Sequence, residues 1–532
     1  MCDLTKENFQ QFFPEVKEHI EKAAFIALDL EFSGLTAEID HVNSLFDSAE
    51  FRYQKLKMMA KKFTIPQFGL TAFVKTKETN CYKAYTYNFY IFPASWGSVD
   101  SWLTCQASSL KFLCCHEFDF NKWIYKGVSY LSIEQEEELK SQMKQSPFNL
   151  ARDIDDDYML KEILRKVRDW LMEEQEDVIC LGEFDALQRL YLQLALKKAF
   201  PSVHVEIKDS GEVVASRLTS AESSTDEHQI AENLLDNLLG FSKVIRLLIK
   251  SKKPLIGHNC LTDMLLIYEN FIHPLPDKLS EFKKIIHDLF PVIIDTKILI
   301  RENRKSLRGL GIDIGSTALQ SLYLTLKNSA AKLSALNPPT IIIHHTSPKY
   351  EHAEHLHEAG YDSYLAGFIF IKLAHMLTVT KLGRASSPLI TFHDYVQSIQ
   401  PSVNKLYLMR ANIGYVSLKG SDPSYNIPGW LYVQSKDSSA LDASELAELF
   451  EGYSTVDVRL IDRKTAIIAV SSFIGCRNIL KDFKSDGQLL VRKYNIFQHN
   501  KLVRYSLWGS LALMGAICVW ALLGDQKSSD VG

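Results

Sequence analysis

Residues 23–30 form a short run that is apolar throughout except for Asp29, and Glu31, Phe32, Ser33 and Gly34 follow it. That pattern predicts a buried strand breaking into a loop at Gly34. From 63 to 92, Val, Thr, Tyr and Phe alternate as in two or three further strands of one sheet. Residues 131–148 predict a charged helix. Asp153, Asp155, Asp156 and Asp157 then lead into an amphipathic helix through Trp170, and solvated carboxylates favouring a helix N-terminus explain that acidic run better than a metal site. Further on, 187–200 predicts a helix, 203–207 a strand, 220–228 a polar loop, 230–251 a long helix and 263–270 another. Residues 291–297 predict a buried strand, 360–377 a helix with small and apolar residues inward, and 380–388 a boundary. Beyond it, 406–410, 443–450, 456–461, 465–470 and 473–483 run strand, helix, strand, strand, helix.

The C-terminal pattern differs. No charged residue occurs from Tyr505 to Gly524, and as a helix this stretch would span ~30 Å, the hydrocarbon thickness of a bilayer. Trp508 and Trp520 sit toward its ends, where interfacial aromatics belong. Arg492, Lys493, Lys501 and Arg504 precede it and only Lys527 follows, so the positive-inside rule places residues 1–504 in the cytosol and 525–532 across the membrane. The alternative is a buried core helix. At the other end Asp3, Lys6 and Glu7 interrupt any apolar run, which does not read as a signal peptide.

Composition bounds the rest. With 532 residues and ~150 per domain, three or four units are expected. Hydrophobic residues at 46% and charged residues at 23% exclude a wholly disordered chain. Lys and Arg number 60 against 64 Asp and Glu, so any nucleic-acid surface must be a local patch. Nine cysteines without a CxxC pair suit a reducing compartment and argue against a disulfide scaffold or structural zinc.

The candidate chemistry lies in carboxylates. Asp29 and Glu31 occupy positions i and i+2 of the first strand and project to one face, so they need a counter-ion, and oxygen ligands suit Mg²⁺ or Mn²⁺. D-x-E also occurs by chance. A second candidate is the sequence 257–263, where Gly257 turns, Asn259 caps a helix and Asp263 rides on that helix; the plain alternative is a capping loop and a surface Asp. The third is His357 with Asp362, brought to one site by a bend at Gly360, among the histidines 344, 345, 352, 355 and 357. Their irregular spacing, with no nearby cysteine, favours a solvated loop over a zinc site.

D-x-E, an Asp after G-H-N, and H-x4-D in this order resemble the DEDD exonuclease superfamily in its His-containing subtype. More narrowly they resemble the poly(A)-specific ribonuclease (PARN) family, through ALDLEFSGL (27–35), IGHNCLTDMLLIY (256–268), PLPDKLSEFK (274–283), FPVIIDTKIL (290–299) and HEAGYDSYLAGF (357–368). The likeness covers roughly 1–390 and extends more faintly to about 485. With the C-terminal anchor, the chain is similar to membrane-anchored members that trim the 3′ ends of PIWI-interacting RNA (piRNA) precursors.

The resemblance implies an α/β, RNase H-like fold with a mixed central sheet flanked by helices, a small inserted domain, an RRM-like α+β domain and a transmembrane helix. The implied boundaries are nuclease 1–159 and 246–390, insertion 160–245, RRM-like domain 400–485, basic juxtamembrane segment 486–504, transmembrane helix 505–524 and tail 525–532. It implies that Asp29, Glu31, Asp263 and Asp362 hold two Mg²⁺ ions (Mn²⁺ in their place) and that His357 is the general base of a 3′-to-5′ exoribonuclease releasing nucleoside 5′-monophosphates. Asp295 reads as a structural residue behind the site, and Phe32 and Leu35 pack on terminal bases or belong to the core. The family's Arg-x-x-x-His motif is lost, with Gln193 four places after Arg189, and the strand at 464–471 lacks the aromatics an RRM stacks on RNA. Arg301, Arg304, Lys305 and Arg308 have helical spacing and hold phosphates or form a solvated basic face. The implied partners are single-stranded RNA 3′ ends, the endoplasmic reticulum or mitochondrial outer membrane, a membrane-bound adaptor with a PIWI-type protein, and a second copy in a homodimer. Alternatives are a poly(A) deadenylase of messenger RNA and a catalytically dead RNA-binding scaffold.

Overall fold

The structure, a computed structural model, describes residues 3–38, 42–96, 99–149, 158–173, 177–184, 186–208, 212–217, 226–329, 338–344, 349–352, 355–382, 390–423, 429–437 and 439–528. The acidic run 153–157 and most of the polar loop 220–228 fall outside them. The chain divides into two compact units: Met1–His41 with Tyr53–Tyr407 and Ser417–Ser421, and Val42–Arg52 with Leu408–Val416 and Asp422–Gly532.

In the first unit the 23–30 run becomes β1 (Phe25–Glu31), a strand with apolar residues on both faces because both are covered. It pairs antiparallel with β2 (Gln67–Lys75), which pairs antiparallel with β3 (Cys81–Pro93). On its other side β1 runs parallel to β4 (Leu255–Gly257), and β4 parallel to β5 (Ile293–Asp295). The order β3-β2-β1-β4-β5, with β2 alone antiparallel to the rest, is the RNase H-like arrangement, and short strands Asp3–Leu4, Val128–Tyr130 and Thr340–Ile343 extend it on β3. Because β1, β4 and β5 are parallel, their C-terminal ends share one edge of the sheet. Asp29 and Glu31, the 257–260 loop and Asp295 therefore gather there.

The helix Ala359–Leu382 lies against this sheet and is buried nearly all round, which is why it is apolar on every side. Its length and composition would let it cross a membrane, but packing in the first unit accounts for them. The helix enters over β2 at Gly69, where an added Cβ would stand 1.8 Å from the Ala359 carbonyl oxygen. Gly69→Ala should therefore push backbone against backbone and cost at least the ~1–3 kcal/mol of an overpacked core, read as a lower urea midpoint. An unchanged midpoint would contradict this packing.

Several expectations shift. The long helix at 230–251 is two, Glu227–Leu239 and Ser242–Ser251, because Gly240 takes φ +35° between them and passes so close to Ser129 that no side chain fits. The strand at 291–297 is only Ile293–Asp295; Asp295 then caps the helix Thr296–Gly309 through Lys297 N. The boundary at 380–388 begins inside a helix that runs to Leu382, and 383–389 lie outside the described residues. The inserted segment builds the antiparallel sheet Val178–Glu183, Glu212–Arg217, Val203–Ile207 under helices Tyr158–Met172 and Ala186–Ala199, and it clusters with the nuclease strands in the first unit.

The second unit holds β6 (Leu431–Ser435), a helix Ala443–Glu451, β7 (Val456–Asp462), β8 (Thr465–Val470), a helix Phe473–Asp482 and β9 (Leu489–Lys493), paired antiparallel in the order β7-β8-β6-β9. The strand expected at 406–410 is Lys405–Tyr407, in the first unit, and the strand that opens this β-α-β-β-α-β series is β6. One sheet face packs on the two helices through Val433, Leu446, Phe450, Ile468 and Ile479. On the other, Tyr432, Ile467 and Arg459 stand in register. The Phe46 ring lies 5.3 Å from Trp430 and under the Arg459 guanidinium at 4.4 Å, while His499 stacks on Tyr432 at 4.1 Å. Buried Arg52 fastens the 42–52 segment, donating to Asp47 Oδ2 at 2.8–2.9 Å and to the carbonyls of Met409 and Arg410. The C-terminal helix is Lys501–Ser528, with an exposed apolar stretch at Leu502–Cys518.

Candidate active site

Alternation along β1 sends Asp29 and Glu31 to the same face, opposite Gly69 and Gln67 of β2. Gly69 lets the start of Ala359–Leu382 come down onto that face. The helix's free N–H groups there are answered by side chains of the sheet: Ala359 N donates to Gln67 Oε1 at 2.9 Å and Gly360 N to Asn88 Oδ1 at 3.1 Å. Ser363 meets Thr71 at 2.7 Å. These contacts seat Asp362, in the first helical turn, against Glu31. Candidate ligand atoms of Glu31, His357 and Asp362 all lie within 4.8 Å of one another.

The third element is the loop after β4. Gly257 is required because a Cβ would meet Cys260 at 2.4 Å. Asn259 adopts φ +63° and makes no cap; the capping position falls on Cys260, without a side-chain bond. The loop is held from behind by Asp295, which is fully buried and accepts from the backbone N–H groups of Asn259, Cys260, Lys297 and Tyr407. His258 is spent between Thr296 Oγ1 and the Thr317 carbonyl, and burial pushes its pKa down to about 3. The loop thus delivers Asp263, buried on the helix Leu261–Phe271, to the same cluster.

The proximity has an electrostatic consequence. Burial, then Asp362, Asp263 and Glu31, holds the Asp29 carboxyl well above its ordinary range, and burial with Asp362 and Asp263 does the same to Glu31. Burial raises Asp263 to about 7 and Asp362 to about 7, partly opposed by backbone N–H donors, Asp263's own and then Leu30's to the first and His357's to the second. Asp362 Oδ1 is buried with no hydrogen-bond partner. Four repelling carboxylates with an unsatisfied oxygen are the setting a hard divalent cation fits.

A stability prediction follows. The folded pKa of Asp263 and of Asp362 exceeds the unfolded value, so the metal-free protein binds more protons than the unfolded chain between about pH 4 and 7. Its stability should fall as pH rises through that window. Mg²⁺ should raise the melting temperature much more at pH 8 than at pH 5.5, against EDTA controls; equal shifts would contradict the cluster.

His357 has φ +62° and donates its backbone N–H to Asp362 Oδ2 at 3.2 Å, so the bend lies at His357 and not at Gly360, which is inside the helix Ala359–Leu382. The half-buried His357 ring packs against His116 at 4.1 Å and Phe112 at 4.8 Å, and burial followed by the neighbouring His116 lowers its pKa, which favours the neutral ring. His116 and Phe112 belong to no spacing motif, and nothing in the sequence marks them. The other histidines disperse: His344 meets Tyr85 and His355 meets Tyr350, while His345 and the His352 side chain lie outside the described residues. Phe32 is half-buried and Leu35 is 56% exposed, which removes Leu35 from the core. Its loop is fixed by Gln106 Oε1, which accepts from Leu35 N and Thr36 N. In the basic row, Arg301 lies over Tyr407, Arg304 donates to the Ile314 carbonyl and Arg308 pairs with Asp313, so three of the four groups have intramolecular contacts.

Residues 4–370 match the family described as CAF1 family ribonuclease. The chain is 30% identical to the pre-piRNA 3′-exonuclease trimmer of Bombyx mori, over 99% of each. It is 30% identical to the Mus musculus poly(A)-specific ribonuclease PNLDC1 over 98% of each. It is 31% identical to the Homo sapiens poly(A)-specific ribonuclease PARN over 88% of this chain and 76% of that one. The match at 4–370 takes in Asp29, Glu31, Asp263, His357 and Asp362, and the chain belongs to the CAF1 family of ribonucleases, alongside its PARN-like members.

Proposed function

We propose that this ribonuclease is a divalent-metal-dependent 3′-to-5′ exonuclease that trims piRNA precursors at a cytosolic membrane surface, releasing nucleoside 5′-monophosphates. The observation that carries the chemistry is the convergence of half-buried Asp29 with buried Glu31, Asp263 and Asp362, with Asp362 Oδ1 lacking a partner. These four would hold two Mg²⁺ ions, Mn²⁺ suiting the same oxygens, and the ions supply an activated water and charge stabilisation at the leaving 3′-oxygen. His357, whose lowered pKa favours the neutral ring, takes the proton of the attacking water. Its ring is oriented beforehand by Phe112 and His116. Exposed Leu35 offers apolar surface to the terminal bases.

Substrate choice rests on the end-to-end alignment with a protein named for trimming pre-piRNA. The membrane reading rests on the apolar, exposed C-terminal helix with basic residues before it. A membrane-bound adaptor would bring PIWI-bound RNA to the site. The names of PNLDC1 and PARN favour a second reading, deadenylation of poly(A). The strand order β7-β8-β6-β9 supports an RRM-like reading of the second unit, but Phe46 and His499 already occupy the outer sheet face.

In cells, inactive protein should leave piRNA precursors with extended 3′ ends, read by sequencing. Longer poly(A) tails on messenger RNA, with normal piRNA ends, would favour deadenylation instead. Protein lacking 505–532 should wash from membranes, retain activity on short RNA in solution and trim poorly in cells, since the tether raises local concentration. Normal maturation by that truncated form would make the anchor dispensable.

A further inference from the structure

After β9 the chain forms the short helix Ile496–His499 and turns into Lys501–Ser528. This corner is fastened from within. Asn495 Oδ1 accepts from Phe497 N at 2.9 Å, His499 Nδ1 accepts from Asn495 N at 2.9 Å, and Asn500 Oδ1 accepts from Val503 N at 3.2 Å. Through its ring on Tyr432, His499 ties the corner to β6.

Between the two helices lies a cavity of about 510 Å³ lined by Phe497, Gln498, Arg504, Leu507, Trp508 and Leu511. Its apolar walls are open, Phe497 being 61%, Trp508 68% and Leu511 56% exposed. Along the chain the charge here has one sign: from Gly487 to Gly524 the sequence carries Arg492, Lys493, Lys501 and Arg504 and no Asp or Glu. A single cavity therefore offers a guanidinium and an amide at one level and an aliphatic-aromatic wall one to two turns further along the helix. A free phosphate would answer Arg504 and leave the wall wet. A phosphodiester with an acyl chain attached answers both.

We propose that this corner is a binding site for an anionic phospholipid, headgroup on Arg504 and Gln498 and acyl chain along Leu507, Trp508 and Leu511. The proposal rests on reading 505–524 as a membrane span, which puts Arg504 at headgroup depth. The site would fix the height and rotation of the second unit over the bilayer.

The test uses the full chain in nanodiscs of phosphatidylcholine mixed with phosphatidylserine, followed by native mass spectrometry of the lipids retained after transfer to detergent. Wild-type protein should retain phosphatidylserine in preference to phosphatidylcholine. Arg504→Gln should reduce that enrichment about fivefold, the effect of one cation near an anionic surface. Phe497→Ala should lower total retained lipid, and Arg477→Gln, on the exposed side of Phe473–Asp482, should change nothing. Solution cleavage of short RNA by each variant should stay at the wild-type rate, which also reports folding. Equal enrichment in Arg504→Gln and wild type, or an equal loss in Arg477→Gln, overturns the site. Carbonate extraction separates the two readings: release of the full chain sinks the anchor and the site together, whereas an embedded protein without phosphatidylserine preference sinks the site alone.

Discussion

Asp29→Asn and Glu31→Gln each reduce RNA cleavage by at least ~10²–10³-fold, the range for removing one group that stabilises charge in a transition state. Each change keeps volume and removes a negative charge from a cluster that burial and mutual repulsion already hold above the ordinary carboxylate range. The same repulsion gives the variants a second signature. Without metal they should melt at a higher temperature than the wild type, and the Mg²⁺-induced rise at pH 8 should shrink. A variant that is inactive because it is misfolded would melt lower. Near-normal turnover of either variant at saturating Mg²⁺ would remove the two-metal reading.

His357→Ala should lower the rate ~10²–10⁴-fold, as for a lost general acid–base group. The Mg²⁺-induced melting shift should survive, since the carboxylates remain. Because His357 sits at φ +62°, His357→Asn is the better-matched companion: Asn accepts left-handed backbone at lower cost and still lacks a titrating ring. The two should be equally slow. If both lose the Mg²⁺ shift together with activity, His357 is a ligand, a possibility its place within 4.8 Å of Glu31 and Asp362 makes concrete.

Much of this was legible because it is local. The D-x-E strand, the helix carrying Asp263 and the strand Val203–Ile207 follow from apolar runs a few residues long. The break at Gly240 is hidden because apolar spacing continues on both sides of it; its φ of +35° and the approach of Ser129, more than a hundred residues earlier, require the glycine. The same limit hid what holds the site. Gln67, Asn88 and Gly69 seat the Asp362 helix from distant strands, and His116 and Phe112 meet His357 across more than 240 residues. Asp295 was readable as a structural residue, but not the four backbone donors it gathers. The 42–52 segment joins a unit whose other members lie beyond residue 407, an association no window along the chain contains.

The most direct test of the central claim is product analysis with the purified full chain, Mg²⁺ and RNA labelled at either end. The account predicts a ladder shortened from the 3′ end on 5′-labelled RNA and release of labelled nucleoside 5′-monophosphate from 3′-labelled RNA, both abolished by EDTA, together with resistance of a 3′-blocked RNA when Mg²⁺ is present. Internal fragments from a circular RNA, or undiminished cleavage in EDTA, would contradict it.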